Sequence, residues 1–105
     1  MKILIVCGAG ASSAFVAHRV RVSGKERGLT LTVVAGSEAD LPASLDTIDV
    51  LLIGPHLAPR FERISAQAKT RGIGVALLPA SVLAARDGDL ALGLAETAEH
   101  ERSWV

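Results

Sequence analysis

Cys7 is the only cysteine in a chain of 105 residues. It stands where the apolar run Ile3 to Val6 gives way to small residues, in the stretch Cys7-Gly8-Ala9-Gly10-Ala11-Ser12-Ser13. Small residues let a backbone bend tightly and turn several N–H groups inward. With the positive end of a following helix, such N–H groups make a site for an anion. Ser12 and Ser13 offer hydroxyl donors, and either can cap the helix. The same field draws a thiol below its free pKa of about 8.5. A thiolate is a nucleophile, so Cys7 is a candidate for covalent catalysis. A nucleophilic sulfur beside an oxyanion cradle points to capture of a phosphoryl group as a phosphocysteine, with sulfur attacking in line while the cradle holds the peripheral oxygens.

Other chemistries fail on spacing. A cysteine phosphatase or arsenate reductase loop needs C-x5-R, and Ser13 stands where that arginine would be; Arg19 lies too far along the helix to replace it. A nucleotide-binding loop of the G-x4-G-K-[ST] kind lacks its lysine, and a dinucleotide fingerprint lacks glycine at Ser13. A dithiol redox motif needs a second cysteine. One cysteine and three scattered histidines argue against zinc, and neither a metal nor a cofactor is expected. The missing arginine itself carries information. A fixed guanidinium binds phosphate strongly and favours hydrolysis on the protein, whereas amides and hydroxyls alone leave the group transferable.

The elements that must position this loop follow from the hydrophobic pattern. Four runs read as strands: Ile3 to Val6, Leu29 to Ala35, Val50 to Ile53 and Ile73 to Leu78. Only the second hints at alternation, so the strands are expected to be covered on both faces, as in a parallel sheet. Residues 12 to 27 carry Phe15, Val16, Val20 and Val22 near helical spacing and end at Gly28. Residues 57 to 71 carry Leu57, Phe61, Ile64 and Ala68 and end at Gly72, and residues 88 to 102 carry Leu90, Leu94, Ala95 and Ala98 after an N-cap at Asp87 or Asp89. The aliphatic stripes are expected in the core. A short turn or helix fills about Ala39 to Leu45.

The predicted fold is an α/β three-layer sandwich, a four-stranded parallel sheet of order 2-1-3-4 with helices on both faces. In that order the connections from strands 1 and 3 leave in opposite directions, and ligands bind at the carboxyl ends flanking such a switch point. Cys7 ends strand 1 and Gly54-Pro55-His56 ends strand 3, so both readings fall on one crevice.

Length fits one domain, residues 1–105. Half of the residues are hydrophobic and formal net charge is zero, which removes the electrostatic footprint of a nucleic-acid binder. A lone cysteine, the lack of a secretory apolar segment and the absence of a run near the roughly 20 apolar residues that span a bilayer predict a cytoplasmic protein outside the lipid.

The stretches "KILIVCGAGASS", "DVLLIGPHLAP" and "GIGVALLPASVLAARDGDLALGLA" resemble the enzyme IIB component of the bacterial phosphoenolpyruvate-dependent sugar phosphotransferase system, of the lactose/cellobiose type. The resemblance covers nearly the whole chain. It implies that Cys7 accepts phosphate from a phosphohistidine on enzyme IIA. The phosphate then passes to a sugar held by the membrane transporter, enzyme IIC, with which the domain associates peripherally. It also implies that the loop Gly8, Ala9, Gly10, Ala11, Ser12, Ser13 and Ala14 is the phosphate cradle. Departures fall around it: Ala11, Ser13 and Ala14 stand for methionine, threonine and serine, and His56 and Pro59 for glutamine and tyrosine. Pro79, Leu83 and Ala84 also depart from the fourth-strand motif, while Asp87-Gly88 match it. His56 and Asp87 are placed on the rim.

Each sharp reading has an ordinary counterpart. A cysteine at a strand end is commonly a small buried hydrophobe, and a histidine opening a helix is unremarkable. His18 and His100 are expected to face solvent. The basic pairs Arg19/Arg21, Arg60/Arg63 and Lys69/Arg71 are expected to form a solvated surface, with one or two meeting an acidic or phosphorylated partner. Trp104 is either a tail or a docking residue. The alternatives to a phosphoryl carrier are a regulatory or orphan interaction module of the same fold, and a small cysteine phosphatase.

Overall fold

The computed structural model describes residues 1–7, 10–41, 43–84 and 87–102, with side chains omitted at 10–12 and 102. Four strands, β1 (Lys2–Cys7), β2 (Thr32–Ser37), β3 (Val50–Ile53) and β4 (Gly74–Leu77), form one parallel sheet in the order β2-β1-β3-β4. Helices α1 (Gly10–Glu26), α2 (Phe61–Lys69), α3 (Ser81–Ala84) and α4 (Asp89–Arg102) connect and cover it, with 3-10 turns at Glu38–Asp40, Ala43–Thr47 and Pro55–Arg60. The expected strand order and connectivity are those observed.

The central strands are apolar throughout because successive side chains point to opposite faces and both faces are covered. Ile3, Ile5 and Cys7 of β1, with Val50 and Leu52 of β3, pack beneath α1 and α4 against Val16, Val20, Leu92 and Ala95. Leu4 and Val6, with Leu51 and Ile53, meet Leu45, Leu57, Ile64 and Ala68 on the opposite face. Each such aliphatic side chain contributes about 1.5–3 kcal/mol by leaving water. Gly28 and Gly72 end their helical segments at φ 72°, the left-handed turn that glycine adopts without a Cβ penalty.

Several boundaries and faces differ from expectation. α1 begins at Gly10, two residues early, and buries Ser13, Val16, Ala17, Val20, Ser23 and Gly24. That stripe keeps helical spacing with small residues, while Phe15 is 57% exposed and Val22 43%. Side-chain size had suggested those two for the core, but the packed face is set by period, and 15 and 22 lie off it. Leu90 is exposed for the same reason, with α4 burying Ala91, Leu92, Ala95 and Ala98. The segment read as one helix over residues 57–71 is a 3-10 turn that contains Pro59 and then α2. Proline disfavours helical backbone in the residue before it and lacks a donor for the ladder. β2 begins at Thr32 rather than Leu29, and α3 was not anticipated.

Candidate functional site

The site begins with register. Cys7 is the last residue of β1 and faces Ser37, the last of β2. On the other side Val6 faces Ile53 of β3, and the next residue, Gly54, donates its N–H to the Val6 carbonyl at 2.7 Å. Cys7 thus lies between the exits of both neighbouring strands. Gly54 packs directly on it: a Cβ built at residue 54 would stand 2.6 Å from Cys7 Sγ and 3.1 Å from its Cα.

The thiol is turned toward the α1/α4 face, and Cys7 is 1% exposed. Burial pushes its pKa up from the ordinary thiol value, because a thiolate loses more than a thiol on leaving water. This reverses the expected depression. The N–H groups of the first turn of α1, which begins at Gly10, have no acceptor within the helix and would act on a nearby anion in the opposite sense. Burial thus favours the neutral thiol at rest.

The cradle residues are brought to this end of the sheet by α1. Gly8 and Ala9 lie outside the described residues. Gly10, Ala11 and Ser12 form the first helical turn; their backbone is described and their side chains are not. Ser13 is fully buried, and its hydroxyl donates to the Gly36 carbonyl at 3.0 Å. It therefore ties α1 to β2 instead of capping the helix, and neither serine stands at an N-cap, since the helix starts ahead of both. Ala14 is exposed, and in a helix starting at Gly10 its N–H belongs to the i to i−4 ladder.

Residues 2–88 match the family described as the lactose/cellobiose-specific IIB subunit of the phosphotransferase system. The chain belongs to that family. The lactose-specific EIICB component of the phosphotransferase system from Streptococcus mutans is 26% identical over 97 residues, which are 90% of this chain and 17% of that protein. This chain thus spans about a sixth of that relative. The solution structure of a cellobiose-specific phosphotransferase IIB component from Borrelia burgdorferi superposes with a TM-score of 0.77 at 28% identity, covering 97% of this chain and 94% of the other. A lactose-specific IIB domain from Streptococcus pneumoniae shares the fold at a TM-score of 0.67 and 14% identity, over 99% and 92% of the two chains.

In this IIB chain the rim residues separate. His56 is exposed in the 3-10 turn leaving β3, two positions past Gly54, at the same sheet edge as Cys7. Asp87 is elsewhere. Its carboxylate accepts the Asp89 N–H at 3.0 Å at the start of α4. Its neighbour Gly88 lies against the backbone of Arg19 and Val20 and donates its N–H to Ser23 Oγ at 3.1 Å. That places Asp87 about 14 Å along α1 from Gly10 at 1.5 Å per residue; the N-cap position of α4 falls to Gly88, between the two aspartates expected there. Trp104 lies outside the described residues, and His18 and His100 are exposed as expected.

Sequence reasoning missed the charged groups on the segments that leave β2 and β3. Glu38, directly after Ser37, pairs with Arg60 at 2.8 Å, and Asp40 Oδ2 accepts the Ser37 N–H at 2.7 Å. No spacing rule links residues 38 and 60; only the sheet order brings them together. Among the described residues no group of three or more His, Cys, Asp or Glu side chains could hold a metal ion, and no helix is long and apolar enough to cross a membrane.

Proposed function

We propose that this IIB chain is the phosphoryl carrier of a sugar phosphotransferase system, with residues 1–105 acting as one cytoplasmic domain and Cys7 as its acceptor. The observation that supports it most is the placing of the lone thiol at the carboxyl end of β1, at the β1/β3 switch point and three residues ahead of the first residue of a helix, whose first-turn amides have no acceptor within it. In the first step the Cys7 Sγ–P bond forms as the P–N bond of a phosphohistidine on enzyme IIA breaks, and the thiol proton ends on the imidazole nitrogen. In the second the S–P bond breaks as an O–P bond forms on a sugar held by membrane enzyme IIC, and the sugar hydroxyl's proton returns to sulfur. The backbone from Gly8 to Ser13 and the Ser12 hydroxyl would hold the peripheral oxygens, with His56 at the rim facing the donor. Because the resting thiol is buried and its pKa raised, docking of the donor must first uncover it.

The test is incubation with phosphorylated IIA followed by intact-mass measurement. One added phosphate is expected, labile as a thiophosphate is, and absent in Cys7→Ser with the fold retained. No mass gain with a competent donor, or a gain that survives Cys7→Ser, overturns the proposal. The 1% exposure of Cys7 favours one second reading, an interaction module of the same fold without phosphate turnover; partner binding without mass gain is its signature.

A further inference from the structure

The segments that leave β2 and β3 are joined across the end of β1. Neighbouring strands stand about 4.8 Å apart, so those two exits are about 10 Å apart with β1 between them. The Glu38–Arg60 pair at 2.8 Å closes that gap. Glu38 is one residue beyond the register partner of Cys7, and Arg60 ends the 3-10 turn that begins after Gly54, the residue packed on Cys7. Glu38 lines a small cavity with Leu41 and Ile64, so the pair lies on the α2 side of the sheet end, beside the exit of β1.

We propose that Arg60 is the cationic phosphate-contacting residue of this site, held at rest by Glu38 and turned toward the phosphoryl oxygens when Cys7 carries them. This rests on the function proposed above. The Arg60 and Glu38 side chains are 54% and 36% exposed, and an ion pair in that setting is weak enough to exchange partners. A phosphoryl dianion outcompetes a monoanionic carboxylate for a guanidinium and takes it bidentately. Glu38 is not stranded by the exchange, because Arg63 lines the same small cavity of about 210 Å³. The loop that follows Cys7 lacks an arginine of its own; here a guanidinium comes from another part of the chain. Sharing it with a carboxylate keeps the phosphate transferable, where a dedicated arginine would hold it.

The signs of two substitutions separate this from a structural latch. Breaking a latch by Glu38→Gln or by Arg60→Gln has the same effect either way. If the pair acts on the anion at Cys7, Glu38→Gln removes a repelling charge and frees the guanidinium, while Arg60→Gln does the reverse. The pH profile of Cys7 alkylation by iodoacetamide is therefore expected to move down in Glu38→Gln and up in Arg60→Gln. The rate below the midpoint should change roughly two- to five-fold each way, the size expected of one charge about 10 Å off in a mostly aqueous setting. Loading from phosphorylated IIA should follow the same signs, with Arg60→Lys restoring the alkylation profile and only part of the loading, since an ammonium has no planar fork. Shifts of equal sign, or none, overturn the proposal. Failure of the wild-type chain to load at all overturns the carrier function instead and leaves the alkylation result to decide the role of Arg60.

Discussion

Gly54 sits so close to Cys7 that a methyl group at residue 54 would stand 2.6 Å from the sulfur. Its backbone, at φ −65° and ψ 156°, is one that any residue adopts. Glycine is needed there for room alone. Gly54→Ala must displace the Cys7 side chain or push β3's exit away from β1. A loss of about 1–3 kcal/mol is expected, as for an overpacked core, read from urea unfolding. If the Cys7 side chain is what yields, its alkylation rate at fixed pH will change as well.

Gly88 marks a second close approach, this one against main chain. A Cβ there would lie 2.5 Å from Arg19 C and O and from Val20 N, and no rotamer change can relieve that. Gly88→Ala should part α1 from the start of α4 and cost about 3 kcal/mol, seen as a lowered Tm. Gly93 provides the contrast, since nothing stands within 4 Å of a Cβ built on it and it is in the interior of α4. Gly93→Ala should stabilise the chain by about 0.5–1 kcal/mol. The match of Asp87-Gly88 to the family motif thus has a packing explanation at Gly88.

Ser13 shows why a residue chosen for chemistry needs its structural role measured first. Its buried hydroxyl donates to Gly36, the register partner of Val6. Ser13→Ala should cost about 1–2 kcal/mol, since the hydrogen bond made by a fully buried hydroxyl is lost. Hydrogen exchange should speed up in the first turns of α1 and at the end of β2. A loss of phosphoryl loading in this variant counts toward the cradle only if the fold at β2 is intact by that measure.

The sheet was legible because its determinants are local and strong. Val50 to Ile53 could hardly be anything but a buried strand, and glycines 28 and 72 closed their segments as left-handed residues do. Cys7 and Gly54 fell on one crevice because strand order follows from alternation of elements. Less legible was which side of α1 faces inward. Phe15 and Val22 outrank Ser13, Ser23 and Gly24 in hydrophobicity, yet close packing against β2 and α4 selects the small ones. The thiol's environment was misjudged, since helix-terminus electrostatics can be read from a motif and desolvation cannot. Arg60 and Glu38, 22 residues apart, meet only because the sheet order sets the exits of β2 and β3 on either side of β1.

That desolvation has a pH signature of definite sign. The folded-state pKa of Cys7 is raised above the unfolded value of about 8.5. The contribution is complete below the unfolded pKa and is lost as pH rises through the folded one. Stability should therefore decline from about pH 8.5 upward, and Cys7→Ala should remove that part of the decline, measured as the difference in urea midpoints at pH 7.5 and 9.5. Alkylation of the wild-type thiol should be slow at pH 7.5 compared with a free cysteine and climb with alkali. Docking of the donor must relieve the burial that causes this shift, so a donor-bound complex should load at a pH where the isolated chain is slow to alkylate. If the isolated thiol instead reacts as fast at pH 7 as an exposed, activated cysteine, the helix amides outweigh burial, and the resting state is already the reactive one.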